Sequence, residues 1–158
     1  MSATAAVAAV ALILHTLAAV VWVGGMFFAL VVLRPATGPL DPAPRQELWG
    51  RVLGQFFNWV MAAIALLLVS GYAMVFAIYG GFRGIGLYVN LMQGLGIVMM
   101  LLFFHLYFAP WRRYQAALAR QDRPTAARQL EQIRAIVSIN LILGLVTVAV
   151  GSSGRYWG

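Results

Sequence analysis

The run AAVAAVALILHTLAAVVWVGGMFFALVVL, residues 5–33, contains no Asp, Glu, Lys or Arg. A hydrocarbon core is crossed by about 20 apolar residues in a helix, so this run is long enough to span one. It lacks a basic leading segment and far exceeds the apolar stretch of a secretory signal, which predicts a retained helix. Its oddity is His15. An ionisable side chain in lipid is expensive unless paired, and such residues mark functional positions by default. Trp22 follows seven residues later, two turns along on the same face, and then come Gly24 and Gly25, which permit close helix approach. At this depth Trp22 is too far in for the aromatic belt, and its indole N–H calls for a buried partner.

Three further runs have the same character. They cover about residues 56–79, 85–109 and 133–150 and stop at Gly80-Gly81, Pro110 and Gly151-Ser152-Ser153-Gly154. The first run stops at Arg34-Pro35, where proline is expected to end the helix. None shows the alternation of a barrel strand, so the fold class is all-α: a single membrane domain, residues 1–158, built as a four-transmembrane-helix bundle. Between the first two spans, about residues 44–55 read as a short amphipathic segment lying at the membrane interface. Residues 111–132 read as helical extensions of the third and fourth spans, broken near Asp122-Arg123-Pro124.

Composition agrees. The chain is 63% hydrophobic and 9% charged, with a mean hydropathy of +0.86, against roughly a quarter charged in soluble domains. The absence of cysteine removes disulfides, iron–sulfur clusters and thiolate metal sites. A net charge of +7 would suggest nucleic acid in a soluble protein. Here it reports topology, and no nucleic-acid partner is expected. Nine of the 11 basic residues, all arginine, lie in loops one and three: Arg34, Arg45, Arg51, Arg112, Arg113, Arg120, Arg123, Arg128 and Arg134. Only Arg83 and Arg155 lie opposite. The positive-inside rule then places loops one and three in the cytoplasm and both termini in the periplasm of a bacterial-type inner membrane, crossed several times.

Counting from the flanking arginines at about 1.5 Å per residue sorts the polar side chains by depth. His105, Asn140, Asn58 and Met26 fall about 9–12 Å in from the arginine level, as one inner layer. His15, Gln93, Ser70 and Tyr72 fall about 28 Å from it. His15 and His105 therefore differ in depth by about 18 Å and should not share one metal ion or the two faces of one haem. Gln93 and Tyr72 are the expected hydrogen-bond partners of His15 if its role is structural. On the last span Asn140, Gly144, Thr147 and Gly151 form a small-polar stripe that should face the bundle. Met26, Met61, Met74, Met92, Met99 and Met100 lie in or near spans, but without the close spacing of a copper ladder. Imidazole with thioether suits Cu(I), while methionine is also a common apolar filler. No carboxylate lies in a span, no serine or threonine stands beside an acid–base pair, and Gly80–Gly86 lacks phosphate-loop spacing.

The pattern of His15, Trp22, Gly24 and Gly25 resembles the first helix of compact members of the CopD family of copper-resistance membrane proteins. The stretch Arg134 through Asn140 to Gly144 is similar to their last helix. HemJ-type protoporphyrinogen oxidases are similar too, with a histidine late in the third helix followed by basic residues, as in His105 before Trp111-Arg112-Arg113. Those proteins also carry a lysine in helix three and an Asn-Glu-x-Pro-like motif in helix four, which this chain lacks. The resemblance implies copper handling, with His15 as a ligand reached from the periplasm and with Met26, His105 and Asn140 lining an inner position. Its alternative is a haem b redox protein with His15 or His105 axial and Arg112, Arg113 or Arg134 at the propionates; Trp22 and Asn140 would line either cofactor. A structural or accessory subunit is the third reading. Beside the lipid bilayer, the expected partners are a periplasmic copper or electron carrier and further copies of the chain.

Because the chain has no cysteine, single cysteines report sidedness cleanly. A membrane-impermeant thiol reagent should label Ser153→Cys in intact spheroplasts and Arg120→Cys only after permeabilisation.

Overall fold

The computed structural model describes residues 2–157 and is built from four long helices: α1 (Ala3–Ala36), α2 (Pro42–Tyr79), α3 (Leu87–Ala119) and α4 (Arg123–Ser153), followed by a single 3₁₀ turn, Gly154–Tyr156. All four are long and apolar enough to span a membrane, and no strand occurs among the described residues. α1 lies along α2 and α3 along α4, and the two pairs meet mainly through α1 and α4. Both termini therefore lie at one end of the bundle. The arginine-rich loops lie at the other.

Local chemistry sets the ends. Ser2 caps α1, accepting from the Ala5 N–H at 3.2 Å. α2 opens on Pro42, whose fixed φ suits a first helical position. It closes at Gly80, where φ is +66° and the N–H turns back to the Phe76 carbonyl. The α3–α4 turn passes through Gln121 at φ +56°, and Asp122 caps α4 by accepting from Thr125 N–H at 3.1 Å.

Two expected boundaries are corrected. Pro35 and Pro110 do not end their helices. Each lies in or just after a wider π turn, Phe28–Leu33 in α1 and Tyr107–Trp111 in α3. In α1 the Arg34 N–H reaches back five residues to Ala29. Such a turn moves aside the carbonyl four residues back that a proline ring would strike, so the helix continues.

The second correction concerns residues 44–55. They are not a separate interfacial segment but the first turns of α2. Their stripe of Gln46, Trp49 and Leu53 is buried. The surfaces that bury it come from the extensions of α3 and α4, through Tyr114, Ala117, Ala126, Leu130 and Ile133. The amphipathic face is real, but its apolar partner is protein rather than lipid. All four helices thus outrun their apolar stretches, and at the arginine-rich end these extensions pack on one another.

The core is correspondingly lopsided. On α3 no described residue before Met99 is buried, and on α4 none after Gly144 within the helix. At the arginine-rich half, Phe57 is the hub. Its ring meets Phe103, Trp111 and Tyr107 edge-on at centroid distances of 5.6, 5.1 and 6.4 Å. Trp22 joins through Phe103 at 6.2 Å. Removing that hub leaves a cavity against three aromatic rings of α3. Phe57→Ala should cost about 3 kcal/mol, at the low end for a buried aromatic because lipid already solvates apolar groups. Thermal unfolding in detergent should show it as a clearly lowered midpoint, with Trp59→Ala on the lipid-facing side nearly neutral.

Candidate functional site

His15 is half-buried on α1, facing α2. Its Nδ1 lies 3.0 Å from the Ser70 Oγ. The expected partners Gln93 and Tyr72 are instead engaged with each other, Gln93 Nε2 donating to the Tyr72 hydroxyl at 3.4 Å. Ser70 is only 3% exposed, and its hydroxyl donates to the Leu66 carbonyl one turn back. A serine hydroxyl has one proton. If that proton stays on Leu66, Ser70 accepts from His15 and the imidazole proton is on Nδ1, with the Leu67 carbonyl a further acceptor beside the ring. The Nε2 lone pair is then left available. This is the arrangement found where a histidine binds metal: one nitrogen held by a second partner, the other offered. Gly71 lets the ring lie against α2, since a Cβ there would stand 3.2 Å from His15 Cε1. The adjoining cleft of about 370 Å³ is lined by Val10, Leu14, Leu66, Val69, Ala73 and Ser70, which suits hydrocarbon rather than an ion.

The inner layer does not assemble as expected. Met26 and Asn140 are buried at 2% exposure each, but Asn58 and His105 face outward. Helix rotation explains it. The core face of α3 runs through Met99, Phe103 and Leu106, and that of α2 through Phe57, Val60 and Ile64. Those phases turn positions 105 and 58 away. Asn140 Nδ2 donates to the Met99 carbonyl at 3.1 Å, while its Oδ1 has no partner among the described residues. Trp22 is buried against Phe103, and its indole makes no hydrogen bond among the described residues. Arg112 and Arg113 are exposed at the end of the bundle. Arg134 is already used, paired with Glu131 and lying over the Trp49 ring at 5.3 Å.

Two of the six span methionines form a pair that the sequence reading did not single out. Met92 and Met99 are seven residues apart, hence on one face of α3, and both thioether ends pack into the small-polar stripe of α4. The Met92 Sδ lies 3.1 Å from where a Cβ of Gly151 would stand, and the Met99 Cε 3.1 Å from that of Gly144. The Thr147 hydroxyl, which donates to the Leu143 carbonyl at 2.8 Å, stands 3.9 Å from Met99 Sδ. The legible signal was an i, i+7 methionine pair facing an i, i+4, i+7, i+11 stripe; a search for spacings of three and four misses it.

No three His, Cys, Asp or Glu side chains gather into a metal-binding group among the described residues. A carboxylate-rich or multi-histidine site for a divalent ion is therefore not built within the described chain. The donors present are imidazole, thioether and amide oxygen. The first two suit a monovalent, soft, low-coordinate ion.

Residues 50–153 match the family model CopD, copper resistance protein D. The match begins within α2, so His15, Trp22 and Met26 lie outside it. An uncharacterized protein of Aquifex aeolicus (strain VF5) is 29% identical over 141 residues, 89% of this chain and 90% of that protein, and so extends over most of the bundle. No solved structure matches.

The tautomer argument has a direct check. Nitrogen-15 NMR of the histidines should show His15 neutral with the proton on Nδ1. In Ser70→Ala, which removes the acceptor, that preference should fade to a mixture of tautomers.

Proposed function

Because the chain belongs to the copper resistance protein D family, a family of copper-resistance-related membrane proteins, we propose that it handles copper inside the bilayer, as Cu(I). His15 Nε2 is the first donor, and the thioethers of Met92 and Met99 are further soft contacts along the α3–α4 seam. Met26, in the same buried core as Met99, lies beyond them. The observation that carries the reading is the half-buried His15–Ser70–Leu66 chain of contacts, which supports a tautomer with Nε2 unprotonated.

The chemistry is substitution at a soft ion. Copper is the cargo, and no group in the chain need change oxidation state. A neutral imidazole and uncharged thioethers leave the ion its single positive charge, so it is held weakly enough to leave. That fits transfer better than storage. With the arginine bias read as positive-inside, His15 lies nearer the periplasmic face of a bacterial inner membrane, and a periplasmic copper carrier is the natural donor or recipient. His105, turned outward, takes no part in this path within a single chain.

The test is a Cu(I) titration of purified protein against a chromophoric chelator, with an absorbance scan of the same sample. Wild type should take up copper. His15→Ala should weaken uptake at least tenfold, and Met92→Leu with Met99→Leu by a smaller factor. A Soret band lost in His15→Ala would replace copper with haem. Neither copper nor chromophore would leave an accessory subunit.

A further inference from the structure

Asn58 and His105 share an unusual situation. Asn58 lies seven residues after Arg51 on α2, and His105 seven before Arg112 on α3. α2 and α3 run in opposite directions, so both side chains stand about 10 Å in from the arginine level, at equal depth. Both are exposed on the outside of the bundle, and neither makes a hydrogen bond among the described residues. Their surroundings are apolar and equally exposed: Trp59 at 66%, Leu101 at 64% and Phe108 at 59%. Acyl chains offer no hydrogen-bond partner, and neither side chain is long enough to reach back to the headgroups as an arginine does. Ser70, Gln93 and Thr147, also placed at depth, each have a partner within the chain. These two do not.

We infer that the lipid-facing surfaces around Asn58 and His105 are the interface between copies of this chain, with the amide of Asn58 on one copy hydrogen-bonded to the imidazole of His105 on the next. Copies inserted the same way round are related by an axis along the membrane normal, so only groups at equal depth can meet. Asn58 and His105 satisfy that condition. The pair is also chemically complementary: an amide carries a donor and an acceptor, and a neutral imidazole carries one of each. Such contacts associate helices in lipid, where apolar burial supplies little drive. The surface is self-complementary only between two different patches, so the assembly closes as a ring or as a symmetric dimer with two such pairs. This assignment is independent of the copper reading, which uses neither residue.

The absence of cysteine makes the test direct. Ala62 lies one turn beyond Asn58 on α2, and Leu101 one turn before His105 on α3. Both are exposed and both are displaced the same way along the membrane normal. Ala62→Cys in a copy with one tag and Leu101→Cys in a copy with another tag, co-expressed and oxidised with diamide in native membranes, should give a disulfide-linked product carrying both tags. Adding His105→Leu or Asn58→Leu should lower its yield at least tenfold, and adding both should lower it no further. Wild type in lipid nanodiscs should have the mass of more than one chain, and His105→Leu that of one. A monomeric wild type, a mixed-tag product absent while both thiols label freely, or a yield indifferent to both leucine substitutions would overturn the assignment. Copper uptake by His105→Leu should equal that of wild type, so a failure here is distinguishable from a failure at His15.

Discussion

Lipid offers no hydrogen bonds, and nearly everything in this fold follows from that. The backbone answers by closing its own bonds in four helices, even across two prolines where a π turn is needed to do so. Side chains face the same demand. Ser70 bonds back to its own helix and receives His15, Asn140 finds the Met99 carbonyl, and Tyr79 pairs with Tyr88 near the terminal end. Asn58 and His105, exposed on the lipid-facing side with no hydrogen bond among the described residues, are the two that point to another molecule.

The packing divides the bundle into two regimes. The arginine-rich half is a dense aromatic core around Phe57, capped past the apolar runs by Trp49, Tyr114 and the opening turns of α2 and α4. The half near the termini is looser, with few buried residues and several half-buried polar or soft side chains: His15, Tyr72, Met92 and Gln93. A rigid half can hold the helices in register while the other leaves donors within reach of a small ion. Glycines set the distances, because methionine ends occupy the space a side chain at Gly144 or Gly151 would need.

Family membership and local geometry carry different parts of the functional reading. The matched residues, 50–153, hold α3 and α4 and most of α2, hence the methionine seam and the Asn140 stripe. His15 stands outside them, and its case rests on its hydrogen-bond chain alone. The donor chemistry of the two regions agrees: neutral nitrogen and sulfur, no carboxylate, no thiolate.

Four apolar runs of helical length, none with the alternation of a strand, were enough to determine a four-span helical bundle. Residue counting alone put His15 level with Ser70 and far from His105, because rise per residue is nearly constant in a helix. What counting could not supply was rotation. Whether position 105 faces the core or the lipid depends on how α3 meets α2 and α4, and in a helix apolar on every side no amphipathic stripe reveals the choice. The same blindness hid the fate of residues 44–55: the sequence shows an apolar stripe, but only the packed extensions of α3 and α4 decide that protein covers it. Proline was misjudged for a related reason. Its missing N–H is visible in the sequence, whereas the π turn that absorbs its ring is a cooperative adjustment of the whole helix held in place by its neighbours.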